Sequence, residues 1–270
     1  MESVTTPDGI QALRENTILG DFTFESASVI FRGKGNVLLT PPGKTLRLEG
    51  AELCFGGDNS LVFLDHSAKP CKLRLSLWHD SFCSIGKNTY YNGLLHVLLS
   101  ERTNAFVGDD CLFSFGNWLR TADPHLIYDA KEGRRINPSR SIFVGDHVWV
   151  GQDAMLLKGA QIGSGSILGA KSLLGGKRVP SNTVWGGNPA KQIRKHIFWG
   201  DECVHTWRKE NSDANAQRKP GAFLYTADDT TRDFRAFEKE ILVLPTAMQR
   251  GEALLAFAQK NEKNRFFIRK

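Results

Sequence analysis

The chain has 270 residues, 41% hydrophobic and 24% charged, with a formal net charge of +6; this supports a real core in one or two domains and excludes disorder throughout. The positive surplus is scattered and lacks the aromatic-interleaved basic signature of an RNA-binding sheet, which argues against nucleic acid and for phosphate-bearing or acidic ligands. The amino terminus, MESVTTPDGIQAL, has no basic flank followed by an apolar stretch, and no run reaches the roughly 18–20 apolar residues that cross a bilayer, so the chain is expected to have no integral membrane segment and to be cytoplasmic.

In chain order, residues 1–80 carry short strand-like segments at 46–53, 61–64 and 73–77, read as an irregular β cap or as first coils. Residues 81–200 form the main domain. Within it, Ile85-Gly86 and Val107-Gly108 look like early rungs of a repeat that becomes regular from Val144. Residues 114–143 lose the register and are polar and turn-rich (NWLRTADPHLIYDAKEGRRINPSR), so they are expected to leave the repeat as an excursion, a place where chemistry is often carried.

From Val144 one phase persists: Val144, Val150, Leu156, Ile162, Leu168, Leu174, then Pro180. Glycine follows five of these positions, at 145, 151, 163, 169 and 175. Four residues beyond successive anchors stand Val148, Ala154, Ala160, Ser166 and Ser172. A period of six is not helical, and so many glycines would cost roughly 1 kcal/mol each inside a helix. The pattern predicts one short strand and one corner per hexad, three hexads closing a triangular coil, and aliphatic anchors stacked inward. The predicted fold class is therefore all-β dominated: a parallel β-helix with an excursion.

Residues 201–270 change character. A polar linker at 206–221 precedes two amphipathic stretches, 233–244 and 246–260, separated by Pro245, which predict a C-terminal helical appendix. The five cysteines (54, 71, 83, 111, 203) are scattered and odd in number, which points to reduced, small, buried hydrophobes.

The run SIFVGDHVWVGQDAMLLKGAQIGSGSILGAKSLLGGKRVPSNTVWGGNPAKQIRK resembles the hexapeptide-repeat O-acetyltransferases, which include galactoside, maltose and nodulation-factor enzymes. LFSFGNWLRTADPHLIYD and NPAKQIRKHIFW resemble the subgroup that modifies capsular and lipopolysaccharide sugars, sialic acid polymers among them. The resemblance covers about residues 80–200. It implies a left-handed helix, acetyl-CoA as cosubstrate, a glycan acceptor, and a homotrimer with sites between subunits.

It also implies residue roles. His125 occupies the place of the family's general base, and an imidazole is the side chain suited to taking a hydroxyl proton near neutral pH. Trp149 matches a tryptophan of the same enzymes and is expected to flank the thioester or acceptor. Asp123 is a candidate for orienting the imidazole. Backbone around Gly151, Gly169, Ala170 and Ser172 is expected to pair with the pantetheine arm, and Lys171, Lys177, Arg178, Lys191 and Arg194 to meet the phosphates. Asn92, Arg120, Tyr128, Arg134 and Arg135 are candidates for the acceptor.

Three other readings remain open at this level. An N-acetyltransferase of an amino sugar nucleotide would use the same coil and base. A metal hydratase on the same scaffold would need three histidines around zinc, and His66, His79, His96 and His147 form no such spacing, so no metal is expected. A non-catalytic β-helix scaffold is the third.

Overall fold

The structure, a computed structural model, describes residues 1–269. The chain forms a left-handed parallel β-helix of about seven turns with a C-terminal helical appendix, as the sequence predicts. Three faces alternate along the chain. The first runs from Ser28–Phe31 through Glu52–Phe55, Leu73–Leu77, Leu95–Leu99, Trp118–Arg120 and Met155–Leu157 to Leu173–Gly175. The second runs from Thr17–Leu19 through Leu61–Leu64, Ala105–Val107 and Ile142–Val144 to Arg178–Val179. The third begins with Asp21–Glu25 and Thr45–Glu49, continues from Tyr90–Tyr91 through Leu112–Phe113, Trp149–Val150 and Ile167–Leu168 to Thr183–Gly186, and ends on the antiparallel strand Lys191–Lys195.

Stacking is in register. Val107 pairs with Val144 and Val144 with Ile162 on the second face; Phe113, Val150 and Leu168 pair on the third; Leu119, Leu156 and Leu174 on the first. These side chains are fully buried, each contributing on the order of 1.5–3 kcal/mol by burial. Coils must approach closely for this. A Cβ on Gly151 would lie 2.6 Å from the Ala170 amide nitrogen, so that position admits only hydrogen.

The second face is covered from outside. Leu61, Phe63, Phe82, Phe106 and Phe143 pack under Phe234, Phe237, Leu254, Phe257 and Phe266 in a second core. The expected linker contains a short helix, α1 (Lys209–Ala214). Two longer helices follow, α2 (Phe234–Leu242) and α3 (Ala247–Gln259). Asp233 caps α2 through the amides of Arg235 and Ala236, and Thr246 caps α3 in a reciprocal box with Gln249. Arg250, almost wholly buried in α3, donates to the carbonyls of Leu244, Pro245, Asn59 and Asp80 and so ties the helix to coil corners.

After α3 the chain returns to the coil through Arg265. Its guanidinium meets Asp146 Oδ1 at 2.7 Å and Asp109 Oδ2 at 2.8 Å, with all three residues buried. Burial pushes Asp109 up to about 6, against the pull of Arg265.

No cysteine is disulfide-bonded. Cys71, Cys83 and Cys111 are buried, and burial raises the Cys71 thiol to about 12. Cys203 is exposed, which corrects the expectation for that position: it lies in the polar segment outside the coil. No helix of the described residues is long and apolar enough to cross a membrane.

Removing Arg265 leaves Asp146 buried without a cation and Asp109 with Lys87 alone, at 3.8 Å. Arg265→Ala is expected to cost about 3–5 kcal/mol in urea-induced unfolding; a loss below 1 kcal/mol would show that the carboxylates find water or another partner instead.

Candidate functional site

The excursion leaves the first face after Trp118–Arg120 and re-enters at Ile142–Val144 on the second. Trp118–Arg120 itself is a regular rung, paired with 96–98 above and 155–157 below. The loop proper is therefore 121–141, standing on the edge between the first and second faces.

It is anchored along that edge. Arg135 forms a bidentate pair with Glu101, one arm at 2.9 Å, and Ser139 donates to the same carboxylate. Arg135, with help from Ser139, holds the Glu101 carboxyl down at about 2. Asp123 pairs with Lys158, and Lys158 holds the Asp123 carboxyl below its ordinary value. Between these anchors the strand around Ile127 folds against Ile136, and a tight turn at 129–134 closes with Gly133 at φ +63°, a left-handed conformation that favours glycine.

His125 is exposed, and among the described residues nothing hydrogen-bonds its ring. Its backbone carbonyl is held: Asn137 Nδ2 donates to it at 2.8 Å, while Asn137 Oδ1 accepts from the Ile127 amide at 2.9 Å. Asn137 is buried and is the internal pin of the loop. Sequence reading passed over it, although Asn137-Pro138 is a turn signal.

The loop candidates Asp123, Arg134 and Arg135 have their own partners. The Asp123 carboxylate engages Lys158 and Asn137, and makes no hydrogen bond to the His125 ring. Arg135 is engaged by Glu101 and Asn137, and Arg134 lies 3.3 Å from Glu132 with both side chains largely exposed. Tyr128 is exposed and bridges to Arg135 through backbone. Arg120 is half-buried with its Nε buried and unpartnered. Asn92 lies on the third face, its amide bonded to the Phe113 carbonyl, on a different side from the loop.

Trp149 also lies on the third face, 39% exposed, between Leu112 and Ile167. Its Nε1 donates to Ser114 Oγ at 3.3 Å, and its ring leans on Trp199 at 6.0 Å. Trp199 stacks on the His147 ring at 3.9 Å, and its Nε1 donates to the His147 carbonyl. Burial lowers the His147 imidazole pKa, so it serves as a neutral packing group beside Trp149.

The edge between the third and first faces carries the small-residue positions. The amides of Gly151 and Gly169 donate to Leu168 and Trp185 within the coil, and Ser172 Oγ accepts from the Gly187 amide. The Gly151 and Gly169 amides thus serve the stacking of the coils. Lys171 adopts φ +55° at a corner and pairs with Asp153 at 3.4 Å. Lys177 donates to the Ala190 carbonyl, and Arg178 faces Asp233 at 3.9 Å. Lys191 and Arg194, on the last strand, are exposed and without ion pairs among the described residues.

The candidate residues thus fall into two separate groups. The imidazole belongs to one, Trp149 and the basic end of the coil to the other, on a different side of the prism. Among the described residues no group of histidine, cysteine and carboxylate side chains is arranged to hold a metal.

The chain is 33% identical over 165 residues to a polysialic acid O-acetyltransferase of Neisseria meningitidis, covering 61% of this chain and 76% of that one. It is 40% identical over 115 residues to a polysialic acid O-acetyltransferase of Escherichia coli O1:K1 / APEC, covering 43% of this chain and 37% of that one. The crystal structure of the polySia-specific acetyltransferase NeuO superposes with a TM-score of 0.60 at 29% identity, over 75% of this chain and 94% of that chain. The polysialic acid O-acetyltransferase OatWY, at 21% identity and a TM-score of 0.57, shares the fold over 75% of this chain and 97% of that chain. No protein-family profile matches the chain.

The Glu101 anchor gives a pH expectation. Its folded-state pKa lies below the unfolded value of about 4.3, so the anchor is complete above that pH and is lost as pH falls toward about 2. Arg135→Ala is expected to raise hydrogen exchange across 121–141 at pH 7, with the difference from wild type shrinking as pH falls toward about 2. An equal difference at both pH values would contradict the assignment.

Proposed function

The chain belongs to the hexapeptide-repeat O-acetyltransferases, in the family of the polysialic acid O-acetyltransferases, and on that premise we propose that it moves the acetyl group of acetyl-CoA to a hydroxyl of an acidic bacterial surface polysaccharide, using His125 as general base. The observation that carries this reading is the exposed, unpartnered imidazole on a loop anchored on both sides of it.

The chemistry is direct. The acceptor oxygen attacks the thioester carbonyl carbon as His125 takes its proton. The C–S bond then breaks, and the departing sulfur receives the proton back from the imidazolium. No acyl-enzyme is needed, and the buried thiols Cys71, Cys83 and Cys111 are held protonated by burial. A backbone N–H near the coil surface meets the tetrahedral oxyanion.

Acetyl-CoA is assigned to the edge beside Trp149 and the small positions 151 and 169, held there by shape, with Lys191 and Arg194 as the free cations for its phosphates and Lys171, Lys177 and Arg178 as secondary ones. Arg120, half-buried beside the start of the loop, is assigned to an acceptor carboxylate through the exposed part of its guanidinium. The imidazole edge and the coenzyme edge lie on different sides of one prism, and the loop exposes Leu126, Ile127, Tyr128 and Ile136. A second copy supplies the missing side, in keeping with a homotrimer whose sites lie between subunits.

With polysialic acid as acceptor, His125→Ala is expected to lower kcat by about 10²–10⁴-fold while KM for acetyl-CoA holds, read as release of free coenzyme A thiol. The product acetyl groups should be lost in mild alkali, as esters are. Wild-type turnover in the variant would refute the base, and an alkali-stable product would favour an amide and amino-sugar acceptors.

A further inference from the structure

The carboxylate of Glu238 on α2 stands where the excursion rejoins the coil. Its Oε1 accepts from the Ser141 hydroxyl and from Asn104 Nδ2 at 2.5 Å. Ser141 is the residue immediately before the Ile142–Val144 strand, and its Oγ accepts in turn from the Asn104 amide at 2.9 Å. Asn104 is fully buried; its Oδ1 accepts from the Phe82 amide at 2.8 Å and its carbonyl from the Ile142 amide at 2.9 Å. One residue upstream, the Arg140 amide donates to the Thr121 carbonyl at 3.0 Å and closes the neck of the loop. Two of the side chains that define the loop exit, Ser141 and Asn104, thus share one oxygen of the appendix.

The helix has little freedom to move that oxygen. Phe234 stacks on Phe143 at 5.1 Å, and Phe237 meets the edge of Phe106 at 5.2 Å. Apolar packing of this kind covers the second face without any carboxylate. Glu238 adds a directional, charge-assisted acceptor at the one point where the loop carrying His125 returns.

We propose that Glu238 is a positioning residue: by fixing Ser141 and Asn104 it sets the exit of the excursion and, through it, the placement of the His125 imidazole. The C-terminal appendix is then a brace for the reaction as well as a cover for the coil. This rests on His125 being the base.

The test uses the full-length enzyme, acetyl-CoA and polysialic acid. Glu238→Ala is expected to raise hydrogen exchange at 139–142, to lower kcat by about 10–100-fold, and to leave KM for acetyl-CoA unchanged, since the coenzyme edge is elsewhere. Glu238→Gln keeps the oxygen that accepts both bonds and should restore kcat. Ser141→Ala, which leaves the apolar seat of α2 intact, should reproduce the loss even if Glu238→Ala folds poorly. In a His125→Ala background Glu238→Ala should cost nothing further. Wild-type kcat and exchange in Glu238→Ala and Ser141→Ala, or a full-sized loss persisting without His125, overturns the proposal. Full activity of His125→Ala alone defeats the base assignment separately, and exchange at 139–142 then still reads whether Glu238 holds the loop.

Discussion

The structure depends on in-register stacking of inward aliphatic side chains, coil upon coil. Val144 must sit over Ile162 and Val150 over Leu168, and the coils can approach this closely only where corners carry hydrogen or a small group, as at Gly151. A spool filled in this way has no interior left for a ligand. Its chemistry is confined to faces, edges and whatever leaves the coil.

That constraint divides the surface. The second face is given over to the chain's own phenylalanines and helices. The third face offers Trp149, backed by Trp199 and His147, and ends in exposed cations. The edge between the first and second faces carries the one long departure from the coil, and every anchor found on it, from Glu101 to Lys158 to Glu238, serves to keep a mobile type of element in a single place. The polar anchors spend the charged residues of the loop on its own geometry. Arg135 and Asp123 are examples: both carry the chemistry to touch a substrate or the imidazole, and both are already engaged.

The coil was legible where its period is six. Phe143 lies over Gln161, three hexads later, so the anchors from Val144 onward announce the prism directly. Upstream, Leu61 lies over Phe82 and Cys83 over Ala105, intervals that are not multiples of six, because extra corner residues lengthen each turn. Those coils reach back to Thr17, and only Ile85-Gly86, Val107-Gly108 and a few short strand-like segments signalled them. The helices were readable because Asp233, Thr246 and Pro245 punctuate an apolar stripe. At the site, His125 and Trp149 stood out by resemblance. Lys158, Asn137, Glu101 and Glu238 did not, since their roles arise from contacts between residues far apart in the chain or from burial, which residue type alone does not encode.

The central claim is that an imidazole on one edge of the spool meets a thioester on another edge, and that two copies of the chain are needed to bring them together. Subunit mixing tests it most directly. His125→Ala and Trp149→Ala chains, each of low activity alone, are co-expressed and purified as mixed oligomers. The account predicts that the mixture regains acetyl transfer, because one interface unites an intact imidazole with an intact Trp149. Activity no greater than the sum of the two parents would contradict it and place the whole site within one chain.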